Sequence, residues 1–307
     1  MTENNFLLKS AKASSGLRLS VLFGSFFIFL LLSSFFSGLI DSLQIGDKRT
    51  DILLSSVFQC LFAFCIPAYI LAKFCTKDWK QWLYLTKTPQ LKAIVGVIIV
   101  FVISTPAMEW LINWNSNIHF PESLTSLENL LRSWEAESEK TTRILLDTHG
   151  WFPVLMGVII IGVLTGFSEE LFFRGGLQGI LVRSSIGKHV SVWLAAIIFS
   201  AMHFQFFGFL PRLLMGAFFG YLLVWTESIW VPAFAHVLNN SIVVISAAVT
   251  GEYSADVLDS QTNSMYFDNS LIVIGSVVAT VLFLLIFRDS IFKNKWLRNQ
   301  PTPAIEK

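Results

Sequence analysis

Residues 151–174 read WFPVLMGVIIIGVLTGFSEELFFR, an apolar run that ends in two adjacent carboxylates and an arginine. The run is long enough to cross a bilayer as a helix, which takes about 20 apolar residues. An ionised carboxylate near the bilayer centre costs on the order of 2.5–3.5 kcal/mol on insertion scales. A helix that carries Glu169 and Glu170 therefore needs partners that make their burial tolerable, and some of these partners must come from elsewhere in the chain.

The composition excludes an ordinary soluble domain. Of the 307 residues, 54% are hydrophobic and 14% are charged, and the mean hydropathy is +0.63. Soluble domains have about 45–50% apolar and about 25% charged residues. The net charge of +1 gives no indication of a nucleic-acid partner. The sequence thus predicts an all-α, polytopic membrane helix bundle with a polar cavity.

Eight apolar segments are long enough to span a membrane. The boundaries of the fifth to seventh segments depend on turn-forming residues, namely Gly208 with Pro211, and Glu227-Ser228 before Pro232. The predicted spans are residues 19–40, 52–71, 93–112, 151–173, 190–209, 210–226, 229–249 and 270–287.

Basic residues are concentrated in the loops on one side of these spans, and this side is therefore predicted to be cytoplasmic. Both termini would lie on that side. The first apolar run is too long for a signal peptide and is taken as a retained span. We expect the plasma membrane of a bacterium. The basic residues on this side are Lys9, Lys12, Arg18, Lys73, Lys77, Lys80, Lys87, Lys92, Arg183, Lys188, Arg288, Lys293, Lys295 and Arg298.

Three regions are predicted along the chain. Residues 1–150 hold three spans and an acidic extracytoplasmic segment, Asn113–Gly150, which reads either as an amphipathic helix over the bundle or as a solvated connector. Residues 151–249 form a core of four spans, and residues 250–307 hold the last span and a basic cytoplasmic tail. The three cysteines, Cys60, Cys65 and Cys75, match no disulfide framework or zinc motif and are expected to be packing residues.

The strongly polar groups inside the spans fall on three helices. Glu169, Glu170 and Arg174 lie on the fourth span, His203 on the fifth, and His236 with Asn240 on the seventh. Residues four apart share a helix face, so Glu170 pairs with Arg174, Phe199 with His203, and His236 with Asn240. The three helices can therefore direct polar side chains into one cavity.

Each of these features also has a purely structural interpretation. Glu170 and Arg174 can form a buried ion pair, His203 can be a hydrogen-bonded packing histidine, and His236 with Asn240 can link helices. Glu169, however, has no local cation once Arg174 pairs with Glu170. Its partners must come from another helix, and the two histidines are available.

Two carboxylates, two imidazoles and a carboxamide are suited to hydrolysis. A buried carboxylate next to an imidazole can accept a proton from water, and an asparagine amide can stabilise an oxyanion. A zinc ion with three protein ligands would acidify the water further. The sequence has no H-E-x-x-H motif, so the spacing does not establish a metal site.

These residues resemble the three motifs of the CPBP family, the type II CAAX prenyl endopeptidases and bacteriocin-processing (Abi) intramembrane proteases. The motifs are Glu169-Glu170-x-x-x-Arg174, Phe199-x-x-x-His203 and His236-x-x-x-Asn240, and Gly216-Ala-Phe-Phe-Gly220 and Trp230-Val-Pro232 between them also fit. The resemblance covers about residues 151–247.

The resemblance implies an eight-helix intramembrane endopeptidase that acts on a membrane-associated peptide or protein. Glu169 with His203 would activate water, and His236 with Asn240 would stabilise the oxyanion or complete a metal site. Glu170, Arg174 and Phe199 would be supporting residues. Zinc or another divalent metal, held by Glu169, Glu170, His203 and His236, and a metal-free glutamate mechanism both stay open, as do the substrate and the oligomeric state.

Two other function classes fit buried Glu and His residues. A proton-coupled transporter is one, although no inverted repeat or pair of broken helices is evident. A non-catalytic scaffold or bacteriocin-immunity protein on the same fold is the other.

Spacing also predicts helix packing and depth. The pairs Gly162/Gly166 and Gly216/Gly220 fit close packing between helices. At ~1.5 Å per residue, Glu169 is expected in the cytoplasmic half of the membrane, with cleavage on the cytoplasmic side, while His203 comes out deeper unless the fifth span begins after Val190.

Overall fold

The computed structural model describes residues 13–148, 150–250 and 269–291, and these residues form helices and turns without a strand. The predictions for Lys9 and Lys12 and for the basic tail after residue 291 lie outside the described residues. The helices are α1 (Ser15–Leu43), α2 (Lys48–Cys75), α3 (Trp79–Trp82), α4 (Leu91–Ser116), α5 (Thr125–Leu146), α6 (Trp151–Val182), α7 (Lys188–Ala201), α8 (Phe209–Thr226), α9 (Trp230–Thr250) and α10 (Ser270–Ile291).

Seven helical segments among the described residues are long and apolar enough to cross a membrane, and α7 is a shorter apolar helix. The long segments are α1, α2, α4, α6, α9, α10 and α8 with its preceding 3-10 turn, Phe206–Gly208. The predicted polytopic helix bundle is thus confirmed.

The fifth span is shorter than predicted, because α7 ends at Ala201 rather than at residue 209. The two amides after this end bond to the third residue before them: His203 N donates to Ser200 O, and Phe204 N donates to Ala201 O. Phe204 then takes the left-handed conformation with φ 54°, which cannot continue a helix. No glycine or proline marks this end, and the glycine and proline signals five or more residues later misplaced the boundary.

The fourth span is longer than predicted, because α6 continues past residue 173 to Val182. Gly175 and Gly176 do not end it, since they pack directly against the side chains of Leu83 and Leu22. At ~1.5 Å per residue, Glu169 lies roughly 27 Å from Trp151 and roughly 20 Å from Val182. It therefore lies somewhat nearer the Val182 end of the helix, and its place in the cytoplasmic half of the membrane stays a prediction.

The segment between α4 and α6 contains an amphipathic helix, α5, that lies over one end of the bundle. Its last residue, Leu146, packs against Val244 and Ala247 of α9. Its backbone is fastened to α2 by Arg49, whose Nε donates to Leu145 O at 2.9 Å. The interpretation as a helix, rather than a solvated connector, is therefore confirmed.

Both glycine pairs bring helices into close contact, as predicted. Gly162 and Gly166 of α6 face α9, where a Cβ on Gly166 would lie 3.0 Å from the backbone nitrogen of Val237. Gly216 and Gly220 of α8 face α7, where a Cβ on Gly216 would lie 3.3 Å from Ala196 Cα. The three cysteines are free thiols, and Cys60 and Cys75 are buried in the packing.

We predict that Gly166→Ala destabilises the protein by about 1–3 kcal/mol, because the added methyl group meets the backbone of α9 rather than a movable side chain. Gly24→Ala in α1 is the matched control, since a Cβ there meets nothing within 4 Å. It should be neutral or stabilising by up to about 1 kcal/mol. Unfolding of the detergent-solubilised variants measures both, and equal shifts would contradict the close approach of α6 to α9.

Candidate active site

Glu170 and Arg174 form the predicted ion pair, one turn apart on α6. Arg174 Nη1 lies 2.9 Å from Glu170 Oε1, and the two side chains are 1% and 0% exposed. Arg174 Nη2 also donates to Gly216 O of α8 at 2.9 Å. Its guanidinium lies 4.7 Å from the ring centre of Phe199, within cation–π range. The pair therefore joins α6 to α8 and to Phe199 of α7.

Gln178 extends this row of polar groups by one more turn of α6, and sequence reasoning missed it. Its Nε2 donates to Gly220 O at 2.9 Å, and the side chain is fully buried. The signal was present in the sequence: Arg174 and Gln178 are four apart, as are their acceptors Gly216 and Gly220. Two parallel rows at helical spacing indicate two helices in register.

His236 of α9 binds the other side of Glu170. Its Nδ1 lies 2.9 Å from Glu170 Oε1. Because an ionised carboxylate can only accept, Nδ1 carries the proton, and Nε2 of the neutral ring is left as an acceptor. Nε2 faces Glu169, 3.8 Å from its Oε2. The imidazole is also stacked on Phe219, with ring centres 5.2 Å apart, which fixes its orientation.

Glu169 has no such partners. Its side chain is 12% exposed, and among the described residues its buried Oε2 has no hydrogen-bond partner. Glu170 leaves one buried oxygen without a partner as well, but its other oxygen is bound by both Arg174 and His236. A buried carboxylate oxygen without a donor is energetically unfavourable, and such groups are concentrated at functional sites.

His203 lies in the turn after α7, where the end of the helix places it beside Phe199. Its Nδ1 is 2.8 Å from Phe199 O. A carbonyl only accepts, so Nδ1 is again protonated and Nε2 is left as an acceptor. Three charged groups act electrostatically on His203: Glu169 most strongly, then Arg212, then His236. The charge of Glu169 thus acts on His203, and the same carboxylate lies 3.8 Å from His236 Nε2.

Phe199 occupies the centre of this arrangement. Its ring centre lies 5.0 Å from His203 and 5.8 Å from His236, both in edge-on geometry. It is 4% exposed. Phe199 therefore contacts both imidazoles, and its supporting role stays a prediction.

Asn240 is placed differently from the other predicted residues. Its Nδ2 donates to Ile161 O of α6 at 3.1 Å, and its Oδ1 accepts from Asn239 Nδ2 at 3.1 Å. Ile161 lies in a π-helical segment of α6, Val158–Thr165, where the ordinary backbone bonds are displaced. Asn240 thus links α9 to α6, and one N–H of its amide is left for other use.

A second group of polar side chains, from outside the three motifs, lies next to His203. Glu135 of α5 accepts from Gln205 Nε2 at 3.2 Å and from Phe207 N at 3.3 Å. Arg212 of α8 donates to Gln205. The sequence analysis placed Glu135 in the segment Asn113–Gly150 and Arg212 at the start of the sixth span, and no spacing rule connects them to His203.

The comparisons with known proteins cover the segment that carries these residues. A family model described as type II CAAX prenyl endopeptidase, Rce1-like, matches residues 151–242, which include the seven residues of the three motifs. This segment of the chain is therefore similar to the type II CAAX prenyl endopeptidases. This similarity and the seven long apolar helices among the described residues indicate an integral, multi-pass membrane protein.

Two relatives come from Bacillus subtilis (strain 168). The "Putative membrane peptidase YdiL" is 32% identical over 109 residues, 36% of this chain and 43% of YdiL. The "Uncharacterized protein YpbD" is 29% identical over 89 residues, 28% of this chain and 42% of YpbD. The alignments thus cover less than half of either relative. No solved structure matches the chain.

The side chains of this site do not fit a three-ligand metal centre as they are arranged. In the described part of the chain, no three His, Cys, Asp or Glu side chains are grouped closely enough to hold a metal ion. Glu170 Oε1 is already bound by Arg174 and His236. Glu169 with His236 Nε2 supplies two donors, whereas zinc sites use three protein ligands or more.

We predict that Arg174→Met destabilises the protein by about 3–5 kcal/mol, because it leaves Glu170 buried without its cation. The double variant Glu170→Gln/Arg174→Met should recover a large part of that loss, since both charges are then gone. Glu169→Gln should leave stability nearly unchanged, because no donor holds that carboxylate. Denaturant or thermal unfolding in detergent gives these differences, and a double variant as unstable as Arg174→Met would refute the pairing.

Proposed function

We propose that this chain is an intramembrane endopeptidase that hydrolyses a peptide bond of a membrane-associated peptide or protein. The observation that supports this most strongly is the carboxylate of Glu169: its buried Oε2 has no hydrogen-bond partner among the described residues and lies 3.8 Å from His236 Nε2. The family matched by residues 151–242 is a protease family. A purely structural carboxylate at this depth would be expected to have a donor.

In the proposed reaction, Glu169 acts as the general base. A water molecule bound between Glu169 and His203 attacks the carbonyl carbon while Glu169 accepts its proton. The new C–O bond forms as the C=O π electrons move to the oxygen. The C–N bond then breaks, and Glu169 returns the proton to the leaving amine. His203 Nε2 orients the water as a hydrogen-bond acceptor.

Oxyanion stabilisation is assigned to His236 and Asn240. Asn240 has one amide N–H left after its bond to Ile161. His236 can donate from Nε2 only when it is protonated, and Glu170, bound to Nδ1, would stabilise that imidazolium. Removing one oxyanion donor typically lowers kcat by about 10²–10³-fold. A divalent metal at Glu169, Glu170, His203 and His236 stays a prediction, and none of these steps requires it.

Glu169→Gln and His203→Ala are predicted to abolish processing while leaving the protein folded, because both remove acceptors for the attacking water. Peptides released from cells that carry the wild type or either variant can be compared by mass spectrometry. Glu109→Gln in α4 is the control, since it removes another carboxylate from a membrane helix.

Wild-type peptide release in either variant would falsify the proposed function. Elemental analysis of the purified wild type, with activity measured before and after chelation, tests the metal prediction separately. A stoichiometric metal that is lost in His236→Ala would establish a metalloprotease.

We also propose that both termini are cytoplasmic, in the plasma membrane of a bacterium, as the basic loops predict. In a cysteine-free background, Glu137→Cys on α5 should react with a membrane-impermeant maleimide in spheroplasts. Ser185→Cys, in the turn between α6 and α7, should react only after permeabilisation. Both positions are exposed, so the reverse pattern would overturn the orientation.

A further inference from the structure

Arg212 is a cation next to the site that neither the three motifs nor the proposed reaction uses. It lies one turn into α8, and both of its hydrogen bonds go to Gln205: Nη1 donates to the backbone oxygen at 3.4 Å and Nη2 to the side-chain Oε1. A guanidinium has five N–H donors in a planar fork. Most of this donor capacity is therefore not used by the protein.

Arg212 forms no ion pair with any residue that the structure describes, unlike Arg174, which binds Glu170 at 2.9 Å. The two carboxylates whose charges act on it are Glu135 and Glu169, but neither contacts it. Both oxygens of Glu135 accept instead from Gln205 Nε2 and Phe207 N. Burial also raises the pKa of Glu135, which weakens it as a counter-ion.

The backbone is shaped to admit the guanidinium. A Cβ on Gly208 would lie 2.6 Å from Nη1, 2.9 Å from Nη2 and 3.0 Å from the central carbon of Arg212. Only a residue without a side chain allows the guanidinium to lie there. Gln205 and Gly208 thus hold it on the turn that carries His203.

This position is close to the reacting groups without being part of them. Arg212 acts electrostatically on Glu169 and on His203, yet it contacts neither. A cation held on Gln205, two residues after His203, is placed to bind a group next to the scissile bond rather than the bond itself.

We propose that Arg212 binds a carboxylate of the substrate peptide next to the scissile bond, either its C-terminal carboxylate or an acidic side chain. The proposal rests on the proposed peptidase function and specifies its substrate class. A guanidinium binds a carboxylate through two parallel N–H···O bonds, and the pairing is strong where water is scarce. If Arg212 served only to fasten α5, it would pair with Glu135 directly, but Gln205 lies between them.

The test measures binding without hydrolysis. Full-length Glu169→Gln protein in phosphatidylcholine nanodiscs is titrated with a fluorescent apolar hexapeptide of leucine and alanine. The peptide is made with a free C-terminal carboxylate, with a C-terminal amide, and as the amide with one internal glutamate. At least one carboxylate form should bind about 10–100-fold more tightly than the plain amide, and the two forms identify the source of the carboxylate.

Adding Arg212→Gln should remove this preference and leave the affinity for the amide unchanged, and Arg212→Lys should retain part of it. Arg132→Gln is the control: Arg132 lies 4.0 Å over the ring of Phe207 in the same region, but it pairs with Glu128. Unfolding curves check that each variant is folded.

Equal affinities for the three peptides, no binding above empty nanodiscs, or an equal loss for all peptides in Arg212→Gln would each overturn the assignment. A preference that depends on Arg212, in a protein whose wild type releases no peptides in cells, would instead count against the proposed function alone.

Discussion

The buried ion pair between Glu170 and Arg174 is the interaction that sets the arrangement of helices around the site. Neither charge reaches water, so each must be solvated by other protein groups. Arg174 needs Gly216 O, which it can reach only because α8 lies against α6 without an intervening side chain. Glu170 needs His236, which requires α9 to approach at Gly166. The buried ion pair therefore requires glycine at the helix contacts, since a larger side chain at Gly166 would move His236 away from Glu170.

The neighbouring residue, Glu169, differs from the Glu170–Arg174 pair in the partners that it can reach. Adjacent residues on a helix point about 100° apart, so Glu169 cannot share the donors that Glu170 binds. Both histidines have their Nδ1 protons bound by acceptors, Glu170 O and Phe199 O, and each therefore presents an unprotonated Nε2. The Glu169 carboxylate and the two Nε2 atoms are thus three acceptors, and a molecule that brings protons, such as water, can bind to them. The donors that stabilise Glu170 thus leave the carboxylate of Glu169 able to accept a proton.

Sequence reasoning was able to predict the parts of the site governed by charge and helical spacing. The cost of buried carboxylates and the four-residue spacings identified the ion pair and the three helices that meet, and the glycine spacings identified the close contacts. It failed where tertiary contacts determine the end of a helix or bring distant residues together. The end of α7 depends on Phe204 in a left-handed conformation, and the extension of α6 depends on Arg174 and Gln178 finding carbonyl acceptors on α8. Glu135 and Arg212 are 77 residues apart in the chain, so only the fold brings both to Gln205.

Because α7 is short, a non-helical turn follows it at membrane depth, and the backbone polar groups of that turn need hydrogen-bond partners from the protein. At ~1.5 Å per residue, its 14 residues span roughly 21 Å, less than the ~30 Å of a bilayer's hydrocarbon core. Irregular backbone at that depth is tolerated only where the protein satisfies its polar groups. Asn115 does so for Phe206 O and Leu210 N, Ser200 for Phe209 O, and Glu135 for Phe207 N. One of these groups comes from α5, so the amphipathic helix is part of what holds His203 in place. The N-terminal region and the family core therefore form one site, although the family match covers only the second.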